Sequence, residues 1–291
     1  MSAAGSLPAV PQLSLIVCTR DRDEKLEAFF ESLGRQRAQA SWELVIVDNG
    51  SSDTTARRLP ALAQAAGLAV TIVSEPRPGL GRARNAGVRG ARGALLAFTD
   101  DDCYPAADYV DQVVSAFADS SLDFLGGRIL LHDASDHPIT IRVDTAPIPI
   151  PPYSVVPTGL VQGANMAFRR AVLDRIGGFD DALGPGTPFC NDDVDAIARA
   201  SAAGFTGSFV PEPLVYHHHG RRDPAAIAAL WRTYDRGRGA YYVKCILDLP
   251  TRARVARYWW QSVGVEKPAA TMRELEGALD YLLRRLTRRL G

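Results

Sequence analysis

The sequence predicts an α/β protein with a mostly parallel sheet, helices on both sheet faces and a helical C-terminal extension. Three observations support this fold class. Short apolar runs alternate with helix-like segments through the first hundred residues, the runs are apolar on both faces, and polar residues follow each run directly. Such an alternation of strands and helices favours parallel pairing with right-handed crossovers.

Four apolar runs predict the strands of the first half. They are rich in β-branched residues, as expected of strands that helices cover on both sides. The runs are Leu13–Cys18, Leu44–Val47, Ala69–Val73 and Ala94–Phe98. A stripe at helical spacing lies between the first two runs and consists of Leu26, Phe29, Phe30 and Leu33. The segment after Asp53 opens with good capping residues, which predicts a second crossover helix.

Composition and charge divide the chain. It has 291 residues, 46% hydrophobic and 23% charged, which is ordinary for a globular protein. Thirty-three basic residues balance thirty-three acidic ones, so nucleic-acid binding is not expected. Residues 1–220 hold 18 basic against 26 acidic residues, whereas 221–291 hold 15 against 7. We therefore predict a flexible N-terminus over 1–12, an α/β domain over 13–220 and a basic helical extension over 221–291.

The cysteine spacing and the hydropathy of the chain indicate where in the cell the protein is expected. The four cysteines form no CxxC pair, which argues against a structural zinc site or a disulfide framework. The first twelve residues lack the pattern of a signal peptide. The longest uncharged stretch, Thr145–Phe168, contains five prolines and is not a membrane span. The expectation is a cytoplasmic protein, at most peripheral at the inner face of the plasma membrane.

Polar clusters follow each predicted strand at its carboxyl end. They are Thr19-Arg20-Asp21, Asp48-Asn49-Gly50-Ser51, Glu75-Pro76-Arg77 and Thr99-Asp100-Asp101-Asp102. In an open parallel sheet, ligands bind in the crevice beyond the carboxyl ends of the strands. The topology therefore predicts a ligand site at this edge.

The acidic triplet is a candidate metal site. In an extended or turning backbone Asp100 and Asp102 can share a face. Two carboxylates about 4 Å apart repel by roughly 1 kcal/mol in water, and a hard divalent cation removes that repulsion. The alternative is a solvated turn in which Asp101 or Asp102 caps the next helix.

Two further clusters lie in the second half. A helix is predicted from Asn191 to Ala203, with Asp192, Asp193 and Asp195 in its first turn, where acids also complement the helix dipole. Three consecutive histidines, 217–219, follow a short apolar strand. They point in alternating directions, so they cannot all bind one ion.

Seven motifs in this order resemble family 2 glycosyltransferases of the GT-A fold over residues 13–220. The motifs begin with the first two strands and their polar ends. They continue as Gly81-Arg-Ala-Arg84-Asn85-Ala-Gly87, Phe98-Thr-Asp100-Asp-Asp102, Gly163-Ala-Asn165-Met-Ala-Phe-Arg169-Arg170, Ile176-Gly-Gly-Phe179-Asp180 and Asn191-Asp-Asp193-Val-Asp195. The resemblance implies an inverting transferase that uses a nucleoside-diphosphate sugar, often UDP-linked, with Mg²⁺ or Mn²⁺.

The resemblance also assigns roles. In the donor site, the implied contacts of the base and ribose are Thr19, Arg20 and Asp48. Arg84 is implied to lie near the base or the diphosphate. Asp100 is implied to contact the ribose or the metal, with Asp101 beside it. Asp102 is the implied metal ligand of the DxD motif, and His217 the third ligand, with His219 as the alternative on the same face. Asp193 is the implied general base, with Asp192 where the family usually has Glu.

For two segments, both a functional and a purely structural interpretation stay open. Gly163 and Asn165 either contact the donor sugar, as the resemblance implies, or form a turn. The proline-rich stretch 144–159 either borders the acceptor site or simply connects two elements.

The C-terminal pattern predicts an amphipathic helix. Its apolar positions are Met272, Leu275, Leu279, Leu282, Leu286 and Leu290. Such a helix packs onto the body or a second subunit, or adheres to an anionic membrane surface. The chain has 30 arginines and 3 lysines. This excess suggests a high-GC bacterial source and hence cell-envelope polysaccharide, glycolipid or natural-product glycosylation, with a saccharide, lipid-linked or small-molecule acceptor.

Other functions fit less well. The Gly79-Leu80-Gly81 segment lacks the third glycine of a dinucleotide fingerprint and follows the third strand rather than the first. The spacing of a zinc hydrolase, HExxH, is absent. A nucleotidyltransferase and a sugar-nucleotide-binding scaffold without turnover stay as alternatives.

Overall fold

The computed structural model describes residues 10–263, 265 and 267–290, with side chains as far as residue 287. The predicted flexible N-terminus therefore lies mostly outside the described residues. From residue 10 onward the chain alternates strands and helices as far as β4, continues with mixed strands and helices as far as β9, and ends in three helices.

The elements agree closely with the predicted strands and helices. The strands are β1 Leu13–Thr19, β2 Trp42–Asp48, β3 Val70–Ser74, β4 Leu95–Asp100, β5 Cys103–Pro105, β6 Phe124–Leu131, β7 Ile148–Ile150, β8 Asn165–Arg169 and β9 Gly207–His217. The helices are α1 Leu26–Gly34, α2 Thr55–Ala65, α3 Leu80–Gly90, α4 Tyr109–Ala116, α5 Arg170–Ile176, α6 Asp192–Ala202, α7 Pro224–Asp248, α8 Arg252–Val263 and α9 Pro268–Leu290.

One sheet runs through the molecule in the order β3-β2-β1-β4-β8-β6-β9-β5, with β7 paired to β9. Strands β1 to β4 are parallel, as predicted. Beyond β4 the sheet is mixed, because β8 runs antiparallel to β4 and β6. The segment before β8 stays at the carboxyl edge of the parallel strands, so β8 starts there and runs back. Antiparallel neighbours need no helical crossover, which explains why the strand–helix rhythm stops here.

Two apolar layers cover the sheet. Along β1 the side chains alternate, with Leu13, Leu15 and Val17 in the layer under α1, α2 and α4. Ile16 faces the opposite layer, which includes Phe179 and residues of α3, α5 and α6. Alternation over a strand covered on both faces fixes the register, because a shift by one residue would exchange the layers.

The C-terminal helices pack against the α/β body. Val194, Ala198 and Ala202 on α6 share an apolar cluster with Tyr241 and Cys245 on α7. The division of the chain at residue 220 stays a prediction. Among the described residues, no helix has both the length and the apolar character needed to cross a membrane.

Candidate functional site

A cavity of about 740 Å³ opens at the carboxyl edge of β1, β2 and β4. This is where the topology predicts a ligand. Three loops complete it, over residues 139–142, 158–164 and 185–194, together with part of α7. The volume is typical of a site for a cofactor or a nucleotide-sized ligand.

The acidic triplet at the end of β4 divides into one inward and two outward carboxylates. The Thr19 hydroxyl donates a hydrogen bond of 2.6 Å to Asp101 Oδ2, and Arg22 Nε lies 3.4 Å from Asp101 Oδ1. Burial raises the pKa of Asp101 to about 6. The protein itself therefore uses much of the bonding capacity of Asp101 and Thr19, both predicted to contact the donor. Asp102 shares this arginine, since Arg22 Nη2 lies 3.4 Å from its Oδ2, and both Asp100 and Asp102 also have partners across the cavity.

His217 faces Asp102 across the β5–β9 pairing. Cys103 and His217 are register partners, which places the last residue of β9 beside the triplet. His217 Nδ1 lies 3.1 Å from Thr140 Oγ1, and Nε2 lies 3.4 Å from Asp102 Oδ1. Burial favours the neutral imidazole, but the Asp102 carboxylate raises the pKa of His217. The alternative ligand, His219, instead lies by Asp136, with Nδ1 3.7 Å from Oδ2.

These residues suit a divalent cation of the Mn²⁺ or Mg²⁺ type. Ligand atoms of Asp102, Cys103 and His217 lie within 4.8 Å of one another. Burial raises the pKa of Cys103 well above its usual value, so this thiol stays protonated and is a poor ligand. The remaining carboxylate and imidazole are donors that Mn²⁺ accepts, and waters or substrate phosphates would fill the other positions.

Arg84 joins the two acidic segments. It is buried, with Nη1 2.5 Å from Asp192 Oδ2 and Nη2 3.6 Å from Asp100 Oδ1. A Cβ on Gly163 would lie 2.2 Å from Arg84 Nη2, so only glycine leaves room for the guanidinium. The prediction that Arg84 lies near the donor agrees with its place in the cavity wall, but its direct partners are carboxylates.

Asp193 opens into the same cavity from the first turn of α6. Its Oδ2 accepts a hydrogen bond of 2.7 Å from Gly163 N, and its Oδ1 one of 2.8 Å from Val194 N. Two backbone donors thus fix the carboxylate while it remains half-buried at the cavity wall. This is the geometry of a positioned acceptor for a proton.

Two predicted donor residues do not line the cavity. Asn165 is fully buried, accepts a hydrogen bond from the Tyr109 hydroxyl and donates to the carbonyl oxygens of Arg128 and Pro213. Its predicted contact with the donor sugar is therefore wrong, and Asn165 holds β8 to its neighbours. Asp48 accepts a hydrogen bond from Ser51 N, and the cavity wall at this strand end is formed by Asn49 instead.

Other predicted segments do reach the cavity. Arg20 lies in its wall and is half-exposed beside Asp21. The end of the proline-rich stretch contributes Thr158 and Gly159, while Tyr153 N binds the Ser201 carbonyl oxygen on α6.

The structure adds residues that sequence reasoning did not single out for the site. They are Arg22, Asn49, Thr140, Arg221, Trp231, Tyr234 and Arg238. Arg22 and Asn49 belong to the polar strand ends, so the topology could have indicated them. The residues of α7 have no such signal, because only tertiary packing brings that helix to the cavity.

A family model described as glycosyl transferase family 2 matches residues 14–177. The chain belongs to this family. Glycosyltransferase AglE of Haloferax volcanii is 24% identical over 209 residues, covering 72% of this chain and 67% of AglE. Validoxylamine A glucosyltransferase of Streptomyces hygroscopicus subsp. limoneus is 32% identical over 115 residues, which are 39% of this chain and 25% of that protein.

Solved structures confirm the GT-A fold of this family 2 glycosyltransferase. Mannosyltransferase PcManGT from Pyrobaculum calidifontis, in complex with GDP-Man and Mn²⁺, has a TM-score of 0.64 at 20% identity and covers 94% of this chain and 81% of its own. S. aureus TarS 1–349 in complex with UDP has a TM-score of 0.60 at 16% identity, and the match covers 95% of this chain and 72% of the TarS chain. At these identities the likeness concerns the fold alone.

Proposed function

We propose that this protein is an inverting, metal-dependent glycosyltransferase that moves a sugar from a nucleoside-diphosphate sugar to an acceptor hydroxyl. One observation carries the proposal. A candidate metal pair, Asp102 and His217, and a positioned carboxylate, Asp193, line the same cavity at the carboxyl edge of the sheet. A degenerate binding scaffold would have no need to keep both.

Donor binding is assigned to the β-strand ends. Asp102 and His217 would hold Mn²⁺ or Mg²⁺, which supplies charge stabilisation at the leaving diphosphate. Arg20 would contact the nucleoside, and Thr19, Asn49 and Asp101 support that wall. The Asn49 amide is already hydrogen-bonded to the backbone of residues 75–79. UDP is the nucleotide that the sequence resemblance favours, and UDP bound to TarS supports it. GDP-Man bound to PcManGT makes GDP the alternative to test.

Arg221 is assigned to the diphosphate. It lies in the cavity wall. Burial acts to raise the pKa of Asp102, but His217, Arg22 and the positive charge of Arg221 together hold that pKa below its ordinary value. No ion pair of the Arg221 side chain occurs within the part of the chain that the structure describes. An arginine near two phosphates compensates their charge without a competing carboxylate.

The chemical step is a single displacement. Asp193 takes the proton from the acceptor hydroxyl while that oxygen forms a bond to the anomeric carbon. The bond between the anomeric carbon and the phosphate oxygen breaks, and its electron pair leaves with the nucleoside diphosphate. One displacement inverts the anomeric configuration. We place the reaction in cell-envelope polysaccharide, glycolipid or natural-product glycosylation.

Replacing Asp193 tests this assignment. Asp193→Asn keeps the side-chain size but removes the base, so transfer and donor hydrolysis should fall about 10²- to 10⁴-fold. The measurement is nucleoside diphosphate release from UDP-sugars and GDP-mannose with Mn²⁺, together with nucleotide affinity, which should stay within twofold. Asp174→Asn, an exposed acid on α5, is the matched control. Turnover close to wild type would show that Asp193 is not the base.

We further propose that the exposed face of α9 pairs with a second copy of this chain. Five side chains that are 50–59% exposed form the stripe: Met272, Leu275, Leu279, Leu283 and Leu286. Their spacing of three and four suits a helix seam, and a self-complementary face closes a two-fold dimer.

Charge favours a protein partner over a membrane. Arg236, Arg238 and Arg273 already form ion pairs with acids of α7 and α9, so they are not free for anionic lipid. Along α9, residues 268–280 hold three acids and one arginine, and residues 281–290 hold four arginines. The three acids are themselves paired with Arg236, Arg238 and Arg284 of the same chain, so the apolar stripe and not charge would join two copies.

A further inference from the structure

One wall of the cavity is aromatic and comes from the C-terminal helices. Trp231 and Tyr234 stand three residues apart on α7, so they share one helix face, and both line the cavity. Trp231 is 46% exposed, which is high for the largest apolar side chain in a wall of arginines and aspartates. Its indole makes no hydrogen bond to the residues that the structure describes.

This aromatic wall is held at a defined place. The Trp231 and Tyr234 rings meet edge to face, with centroids 6.0 Å apart and an angle of 89°. Burial raises the pKa of Tyr234 to about 12, so its hydroxyl remains neutral. The indole is therefore backed by a second, mostly buried ring.

The same wall is tied to the segment that carries the base. Cys190 Sγ donates a hydrogen bond of 3.6 Å to the Thr233 carbonyl oxygen. A Cβ on Gly237 would lie 2.1 Å from Cys190 Sγ, so α7 approaches this segment closely. Asp193 follows three residues later, at the start of α6. The distance between the aromatic wall and the base is thus set by direct packing.

A pyranose ring matches such a wall. One face of the ring presents C–H groups that pack on the face of an aromatic ring, while the hydroxyls stay free for polar partners. Ligand sites commonly combine an aromatic surface with a few polar groups that fix orientation. Asp193 would then act on a hydroxyl at the rim of the stacked ring.

We propose that Trp231 is the stacking platform of an acceptor-sugar subsite, so that the acceptor is a saccharide whose terminal pyranose packs on the indole. This inference rests on the proposed transferase function and adds the substrate class of the acceptor. The nucleoside of the donor is assigned to the ends of β1 and β2, so the platform on α7 serves the second substrate.

Saturation-transfer NMR with simple glycosides tests the platform. The probes are the methyl pyranosides of glucose, galactose, mannose and N-acetylglucosamine, each added with Mg²⁺, which is diamagnetic, and UDP or GDP. At least one should receive saturation at its ring C–H protons in the wild type. Trp231→Ala should reduce that signal at least tenfold, whereas Trp231→Phe should retain most of it. Trp260→Ala, a 79% exposed tryptophan on α8, should leave it unchanged.

The outcomes separate the inference from the proposed function. Nucleotide affinity within twofold of wild type in all variants, with loss of the glycoside signal only in Trp231→Ala, supports the platform. Absence of glycoside binding in the wild type, or a signal that survives Trp231→Ala, overturns it and leaves the transferase function standing. A loss of nucleotide binding in Trp231→Ala overturns it by assigning the indole to the donor. Absence of any nucleotide binding by the wild type would overturn both.

Discussion

Arg84 organises the site at the scale of single residues. Its guanidinium contacts Asp192 and Asp100 and lies over the Phe179 ring at 5.5 Å. A buried cation among several carboxylates lowers their mutual repulsion, and it does so before any ligand binds. The arginine therefore connects the strand end that precedes Asp102, the proposed metal ligand, to the helix start that carries Asp193, the proposed base.

Side-chain direction limited what could be predicted for individual residues. The pattern of the triplet predicted that Asp100 and Asp102 can share a face, and both of them line the cavity. It could not show that Asn165 turns away from the cavity at the start of β8, because the direction depends on which neighbours need its amide. Those neighbours, Tyr109 and the carbonyl oxygens of Arg128 and Pro213, are distant in sequence.

Replacing Asn165 distinguishes a structural residue from a ligand contact. Asn165→Ala leaves buried partners unsatisfied, which should destabilise the fold by about 3 kcal/mol. Thermal unfolding should show a Tm lower by about 6–12 °C, and the folded variant should bind nucleotide with wild-type affinity. Gln64→Ala, an exposed amide on α2, is the control. Wild-type stability with weakened donor binding would show instead that Asn165 contacts the donor.

At the scale of elements, strand register brings together Asp102 and His217, the proposed metal pair. The carboxyl-edge cluster followed from the parallel strands, whose positions in the chain the apolar runs predicted. The position of His217 beside Asp102 depends instead on the antiparallel pairing of β5 with β9. Strand β5 has three residues, and no local pattern names its partner. The resemblance pointed to His217 where periodicity could not.

A buried ion-pair network joins α7 to α6. Lys244 Nζ pairs with Asp195 on α6, and it lies 2.9 Å from Asp180 Oδ2. Asp195 also binds Arg199 Nε at 2.8 Å. This buried network lies two residues after the base, so α7 supports the helix on which Asp193 stands.

Replacing Lys244 tests whether this network supports α6. Lys244→Met leaves two carboxylates without their buried partner, and breaking such a pair costs about 3 kcal/mol, since Arg199 still compensates Asp195. Chemical denaturation should show this loss, and kcat should fall more than the nucleotide affinity does. Lys267→Met, an exposed lysine before α9, serves as control. Unchanged stability and unchanged kcat would show that α7 does not support the helix that carries Asp193.

At the scale of the whole molecule, one of the C-terminal helices, α7, belongs to the site. The sequence predicted an amphipathic, basic extension, and α9 confirms the helix. It did not predict that α7 would line the cavity, since its aromatic residues resemble those of any packed helix. Close contact is achieved through glycines: a Cβ on Gly239 would lie 1.8 Å from the Glu274 carbonyl oxygen.

The exposed face of α9 gives a prediction about assembly. Leu279→Glu places a charge at the centre of the stripe, so a dimer formed through α9 should dissociate to monomer. Sedimentation velocity at several concentrations measures this. Leu247→Glu on α7, at a site 45% exposed, should leave the dimer intact. A wild-type monomer that binds anionic vesicles, and loses that binding in Leu279→Glu, would assign the face to a membrane instead.

Metal-dependent nucleotide binding tests the proposed function most directly. Thermal unfolding is followed with UDP or GDP in the presence of Mn²⁺, Mg²⁺ or chelator, for the wild type and Asp102→Ala. At a hundredfold excess over Kd, binding stabilises the fold by about 2.7 kcal/mol, which raises Tm by about 5–10 °C. The prediction is a rise with one nucleotide and Mn²⁺ that chelator and Asp102→Ala both abolish. A rise of equal size in chelator, a rise with a dinucleotide alone, or no rise at all would contradict the proposed transferase.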